Sequence, residues 1–212
     1  MKKIFLLLLF VCTLQNVAAQ KDPQARKVLE ATEKAFEKGK GISARFTAEN
    51  FVNGQSQGSS AGTMKIKGQK FQLTTNDLIT WFDGKTQWSY LKQNDEVNVS
   101  TPSASELQGM NPYAILNIYK KGFNYSVQKG TLRGQGVYTV RLTAESKSND
   151  IQEILLDVSQ SNYTPFCIRF RQKNGNWTKI VVRDFKNQQK FNDQDFTFPK
   201  EAYPNAEVID LR

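Results

Sequence analysis

After Gly41 the apolar residues of this chain recur at every second position through one short run after another, and that period of two restricts the fold to antiparallel strands with one buried face. Ala44, Phe46 and Ala48 alternate with Arg45, Thr47 and Glu49. Beyond Asn53-Gly54 and a polar Gly/Ser stretch, Met64 and Ile66 alternate with Thr63, Lys65 and Lys67. Phe71 and Leu73, Ile79 and Trp81, Trp88 and Tyr90, then Val97 and Val99 continue the pattern, with Asp83-Gly84 as a hairpin turn. The second half repeats it in Phe123, Tyr125 and Val127, in Tyr138, Val140 and Leu142, in Ile154, Leu156 and Val158, and in Phe166, Ile168 and Phe170. Asn174-Gly175 turns the chain into a strand running from Trp177 through Ile180 and Val182. These spacings predict about 10 to 11 strands. With 212 residues, 39% of them apolar, and no repeat or linker, they belong in one domain, a strongly curved sheet or open barrel.

Helical spacing occurs in two places. From Pro23 to Lys38, Ala25, Val28, Leu29, Thr32, Ala35 and Phe36 fall three and four residues apart, with charged residues on the other face. Asp22 and Pro23 supply a cap and a first-turn proline, and Gly39 and Gly41 end the helix. The second place is an insert from Ser103 to Tyr119. Ala104 and Leu107 suggest one short helix there, and Asn111-Pro112 opens another containing Tyr113, Ile115, Leu116, Ile118 and Tyr119. The insert carries more apolar bulk than a one-sided surface helix needs. Together the two places predict about three helices.

The N-terminus reads as an export signal: Lys2 and Lys3, an apolar run from Ile4 to Leu14, and Val17-Ala18-Ala19 before the cut. That run of about 11 residues is too short for a membrane span of ~20. Cleavage after Ala19 leaves a single domain of 193 residues, 20–212, at a net charge of +7, expected to be soluble and outside the cytoplasm. Cys12 departs with the signal, so Cys167 is the one remaining thiol and no internal disulfide forms. Cys12 lies inside the apolar run and is not read as a lipid-modified cysteine; Cys167 is expected to pack in its strand as a small apolar residue.

The chain contains no histidine, which removes Ser-His-Asp and Cys-His nucleophiles and imidazole metal ligands. Asp77, Asp83, Asp95 and Glu96 lie near hairpin ends, where acidic residues form turns, and nothing pairs them as acid and base. Asp193 and Asp195 lack the glycine and distal glutamate of a calcium loop, and Gly134-Gln135-Gly136 lacks the helix of a phosphate loop. No catalytic residue, metal site or cofactor is expected. The 29 Lys and Arg residues outnumber 20 Asp and Glu, yet they spread over the outer positions of many strands, the pattern of a solvated surface rather than a nucleic-acid footprint. What remains in excess is apolar material on the first strands and the insert. In a closed small barrel it would fill the interior, whereas an open sheet lidded by helices would leave part of it as a cavity for a hydrophobic ligand. The periodicity is common to both.

Gly62-Thr63-Met64-Lys65-Ile66-Lys67, Phe71, the hairpin Trp81-Phe82-Asp83-Gly84-Lys85-Thr86-Gln87-Trp88-Ser89-Tyr90 and the Asn111-Pro112 helix start resemble the outer-membrane lipoprotein carrier (LolA) family. The export signal, Ser43-Ala44-Arg45-Phe46-Thr47 after the first helix, and Phe196-Thr197-Phe198-Pro199 extend the likeness over nearly the whole chain. The resemblance implies a mainly β fold, an incomplete and strongly curved antiparallel barrel covered by helices. It also implies a periplasmic, monomeric chaperone that shelters lipoprotein acyl chains in a hydrophobic cavity. Its partners would be acylated lipoproteins, the inner-membrane lipoprotein-releasing transporter and, where present, an outer-membrane acceptor. On this basis the cavity wall is assigned to Phe46, Met64, Ile66, Phe71, Leu73, Trp81, Trp88 and Tyr90, strand parity allowing one of Trp81 and Trp88 to face outward. The lid is assigned to Leu107, Met110, Ile115 and Leu116. Gly68-Gln69 stands where the family often has a basic residue and proline, which implies that the latch of the lid is either different or absent. An envelope-sensing or other lipid-binding module of the same fold is the alternative; sensing members usually carry a second domain.

Overall fold

The computed structural model describes residues 21–37, 41–103, 106–107, 118–132 and 134–212. The period of two becomes a single sheet of twelve strands. The first half of the chain supplies β1 (Ile42–Val52), β2 (Gln55–Lys67), β3 (Lys70–Thr75), β4 (Leu78–Phe82), β5 (Gln87–Leu91) and β6 (Glu96–Ser100). The second supplies β7 (Phe123–Leu132), β8 (Gln135–Ala144), β9 (Ile151–Ser159), β10 (Pro165–Gln172) and β11 (Trp177–Lys186), followed by β12 (Glu207–Asp210). Their order across the sheet is β12-β6-β5-β4-β3-β2-β1-β11-β10-β9-β8-β7. Two meanders are thus joined where β1 pairs antiparallel with β11, and the sheet is open between β7 and β12.

The turns follow from local chemistry. Asn53 and Gly54 both take positive φ, 51° and 78°, the conformation of a type I′ hairpin whose twist suits the strands it joins. The twelfth strand exceeds the expected number. Glu207–Asp210 has too few residues to show a period, and its order comes from parallel pairing with β6, Val208 beside Val97. The expectation of about three helices is also corrected. Helix α1 (Pro23–Glu37) forms as expected, and the other complete helical elements among the described residues are single 3-10 turns at Ile118–Lys120, Asp193–Phe196 and Lys200–Ala202. The expected insert helices fall largely on residues 104–105 and 108–117, outside the described residues. Their start is visible: the Ser103 N–H and hydroxyl donate to the Glu106 carboxylate, both at 2.7 Å, and the Leu107 N–H donates to the Ser103 carbonyl at 3.1 Å. With the Glu106 N–H donating to Ser103 Oγ at 3.3 Å they form a capping box, and the two hydrogen bonds from Ser103 hold the Glu106 carboxyl below its ordinary pKa.

Register decides which side chains share a face. Ile66 lies opposite Phe71 and Ile42, Met64 opposite Leu73 and Ala44, and Phe71 opposite Phe82. Across β11, Ile180 lies opposite Ile168, which lies opposite Leu156, which lies opposite Val140. These residues make the inner face, and α1 buries Ala25, Val28, Leu29 and Phe36 in the same core. The helix packs on β7 and β8, where the Asp22 N–H donates to the Tyr125 carbonyl at 3.0 Å. Phe71 is fully buried at the centre of the first meander. Phe71→Ala is expected to cost about 3–5 kcal/mol in urea unfolding, against less than about 0.5 kcal/mol for Leu211→Ala at the exposed C-terminus.

Candidate functional site

The inner face changes from sealed to accessible along a diagonal. Met64, Ile66, Phe71, Ile42 and Ala44 are buried, whereas Leu73 on β3, Phe46 on β1 and Ile180 on β11 are only half-buried and pack against them. Beyond that line the same face carries small and polar residues, with Ser60 opposite Ala48, Asn50 opposite Thr178 and Gly62 opposite Thr75. Gly62 is required where β2 closes on β3. A Cβ there would lie 2.1 Å from the Thr74 carbonyl oxygen and 3.0 Å from Phe46 Cζ. Apolar side chains partly open to solvent along the edge of a continuous core form a surface on which an aliphatic group loses water without displacing a polar partner.

The insert reaches this face because of topology. β6 lies near one end of the sheet and β7 at the other, so residues 101–122 carry the chain between the two ends. Among its described residues, Leu107, Ile118 and Tyr119 all pack against the core. The far end of the insert is tied to α1. The Tyr119 hydroxyl donates to Glu33 Oε2 at 3.0 Å, and Lys120 Nζ donates to Glu33 Oε1. Glu33 is almost wholly buried, so these two donors compensate a carboxylate that would otherwise be costly to desolvate. Burial first, then the Glu33 hydrogen bond and charge, raise the Tyr119 hydroxyl well above its ordinary value. Gly68 and Gln69, where the family resemblance implied a different or absent latch, form the β2–β3 turn.

The eight expected wall residues divide between two faces. Phe46, Met64, Ile66, Phe71 and Leu73 share the inner one. Trp81, Trp88 and Tyr90 project from the other: Trp81 lies directly opposite Trp88 and opposite Gln72, out of phase with Phe82 and Phe71. The assignment of Trp81, Trp88 and Tyr90 to the wall, with one of the two tryptophans allowed to face outward, therefore departs from the observed register, because cross-strand partners always share a face. Their cover is the C-terminal tail. Trp81 meets Phe198 edge-on at 5.6 Å and Tyr203 at 6.0 Å, Tyr90 meets Tyr203 at 4.5 Å, and Phe196 is fully buried beside Phe191. Lys67 Nζ donates to the Phe191 carbonyl at 2.9 Å and, with Lys70, pairs with Asp193. Hydrogen bonds from Lys70 and Lys67 hold the Asp193 carboxyl below its ordinary pKa. Of the lid residues, Leu107 is half-buried against the core, while Met110, Ile115 and Leu116 lie outside the described residues.

The rest of the inner face was not assigned a site role from sequence, although the same alternation marks it. Ile180, Val127 and Tyr138 continue the partly open border on the second meander. No group of three or more Cys, Asp or Glu among the described residues is placed to hold a metal ion. No helix among them is long and apolar enough to cross a membrane.

The sequence model of a family described as outer membrane lipoprotein carrier protein LolA matches residues 15–174. An uncharacterized conserved protein from Thermus thermophilus shares the fold with a TM-score of 0.59 at 12% identity, over 88% of this chain and 99% of that one. Two further structures align less closely. A LolA superfamily protein from Nitrosomonas europaea has a TM-score of 0.46 at 13% identity, over 82% and 97% of the chains. A putative outer membrane lipoprotein-sorting protein domain from Vibrio parahaemolyticus has 0.44 at 14%, over 84% and 99%. No curated protein sequence matches the chain significantly.

The Glu33 cluster makes a direct test. Tyr119→Phe leaves a buried carboxylate short of one donor and is expected to cost about 1–3 kcal/mol in chemical denaturation. A raised tyrosine pKa contributes stability that is complete below the unfolded value, about 10, and is lost as pH rises through the folded one. The stability gap between wild type and Tyr119→Phe is therefore constant up to about pH 10 and narrows above it.

Proposed function

The chain belongs to the outer membrane lipoprotein carrier protein LolA family, and from that premise we propose that it is a periplasmic carrier sheltering lipoprotein acyl chains against its inner face. The observation that carries the reading is the half-buried apolar border of Leu73, Phe46 and Ile180, packed against the same core as Leu107 of the insert. Residues 1–19 act as the export signal and are removed, leaving 20–212 as one carrier domain. Met64, Ile66 and Phe71 form the floor of the site, Phe46 and Leu73 its border, and Leu107, Met110, Ile115 and Leu116 its lid. Trp81, Trp88 and Tyr90 act indirectly by fixing the tail to the outer face.

The energetics favour a shallow site with a movable cover. Each buried methylene contributes ~0.8 kcal/mol, so full enclosure of one ~16-carbon chain gains on the order of 12 kcal/mol. Two or three fully enclosed chains would pass the practical limit of ~20 kcal/mol, and the cargo would not leave. Partial enclosure, with part of the gain offset by displacing the lid, keeps the cargo transferable. The lipoprotein would arrive from an inner-membrane releasing transporter and pass to an outer-membrane acceptor.

The test is binding of a fluorescent triacylated lipopeptide to the mature chain. Saturable binding is expected, weakened at least tenfold by Leu73→Glu and left unchanged by Tyr203→Ala on the outer face. Absence of saturable binding, or equal loss in both variants, overturns the reading.

A further inference from the structure

The side of β9, β10 and β11 turned away from the core is hollowed into two adjoining cavities. The larger, about 600 Å³, is floored by Phe166, Cys167 and Val181, with Leu132 of the β7–β8 hairpin at its border. The smaller, about 360 Å³, is lined by Phe51, Leu155 and Trp177. Arg169 and Lys179 line both, and they are direct cross-strand partners on β10 and β11, so two cations stand side by side at the junction. Like charges in that relation repel unless an anion lies between or beside them.

Among the described residues only one of the pair makes an ion pair. Arg169 Nη2 donates to Asp157 Oδ2 at 3.0 Å, and Asp157 also accepts from Thr139 Oγ1 at 2.7 Å. Arg169 Nε is buried and has no acceptor. Lys179 has no carboxylate within ion-pairing distance among the described residues; Glu49, opposite it on β1, accepts instead from the Ser56 hydroxyl at 2.8 Å. Arg183, at the far side of the larger cavity, is likewise without a carboxylate, since the neighbouring Asp184 pairs with Arg45. The trough therefore combines an apolar floor, a volume in the range of about 300–1,000 Å³ usual for small-molecule sites, and an excess of cations, with Arg169, Lys179 and Arg183 on its lining against Asp157.

We propose that this outer trough binds a single-chain anionic amphiphile, a long-chain carboxylate in chemical class. Its head sits at the Arg169–Lys179 pair and its alkyl chain lies over Cys167, Val181 and Phe166. An extended peptide fits less well. The backbone groups of β9, β10 and β11 pair with one another in the sheet ladders, so a peptide lying flat on this face would bury its own N–H and C=O groups without partners. An alkyl chain carries no such groups. The site is separate from the inner face and does not rest on the carrier reading.

The experiment uses the mature chain and a palmitic acid analogue with a photoreactive diazirine on its alkyl chain, with adducts mapped to single residues by mass spectrometry. Adducts are expected on Phe166, Cys167 and Val181. Lys179→Glu should lower their yield at least tenfold, Lys179→Arg should preserve it, and the methyl ester of the probe should label at least tenfold less than the free acid. Arg169 is left intact because its loss would strand Asp157. Adducts confined to inner-face residues such as Leu73 and Ile180 overturn the proposal while supporting the carrier reading. Outer-face labelling that is indifferent to Lys179→Glu or to esterification overturns the assignment of an anionic head. Adducts on neither face overturn it as well.

Discussion

Everything in this fold depends on β1 being paired on both sides, with β2 along one edge and β11 along the other. Without the second pairing the chain would be two separate meanders, each with an apolar face left partly uncovered. With it, Ile42, Ala44 and Phe46 stand between Ile66 and Met64 on one side and Val182 on the other, and the two apolar faces become continuous. A slip of one residue in either register would turn Phe71, Ile66 and Ile168 to solvent and bring lysines and arginines inward. The alternation of charge with bulk along each strand is what makes that slip costly.

The two faces of the sheet are covered by different means, and the difference has functional weight. On the inner side α1 packs on the second meander, and Leu107, Ile118 and Tyr119 of the insert pack against the same core, whose border residues Phe46, Leu73 and Ile180 are only half-buried. On the outer side of the first meander the tail is fastened by an aromatic cluster around Trp81 and Tyr203 and by the Lys67–Asp193–Lys70 contacts. One cover is anchored at its far end through Glu33, Tyr119 and Lys120. The other ends in a paired strand, β12. The proposed carrier role calls for one face that opens and a scaffold that stays closed while it does, and the unequal covering of the two faces is in keeping with that proposal.

Much of this was legible in the sequence. Periods of two and 3.6 located most of the strands and the first helix, and the same alternation placed Phe46, Met64, Ile66, Phe71 and Leu73 on one surface. Register between strands was not legible, because it is set by turn geometry and long-range pairing rather than by any one segment. Trp81 shows the consequence. It follows Ile79 at the same two-residue spacing as Leu73 follows Phe71, but its phase points to the outer face, and only the pairing of Phe82 with Phe71 fixes that. The aromatic residues of the tail carried a further hint. Phe196, Phe198 and Tyr203 lie outside any strand period, which fits residues that cover a face rather than belong to one. The outer trough was hidden for a related reason, since Arg169 and Lys179 become neighbours only through the β10–β11 register.

The central claim is that acyl chains lie against the inner face, and the most direct measurement is of intermolecular NOEs by NMR from the acyl methylenes of a bound triacylated lipopeptide. The account predicts contacts to the methyl groups of Leu73, Ile180 and Val127, the half-buried border of the core. Contacts confined to Val181 on the outer side, or no intermolecular contacts under saturating lipopeptide, would contradict it.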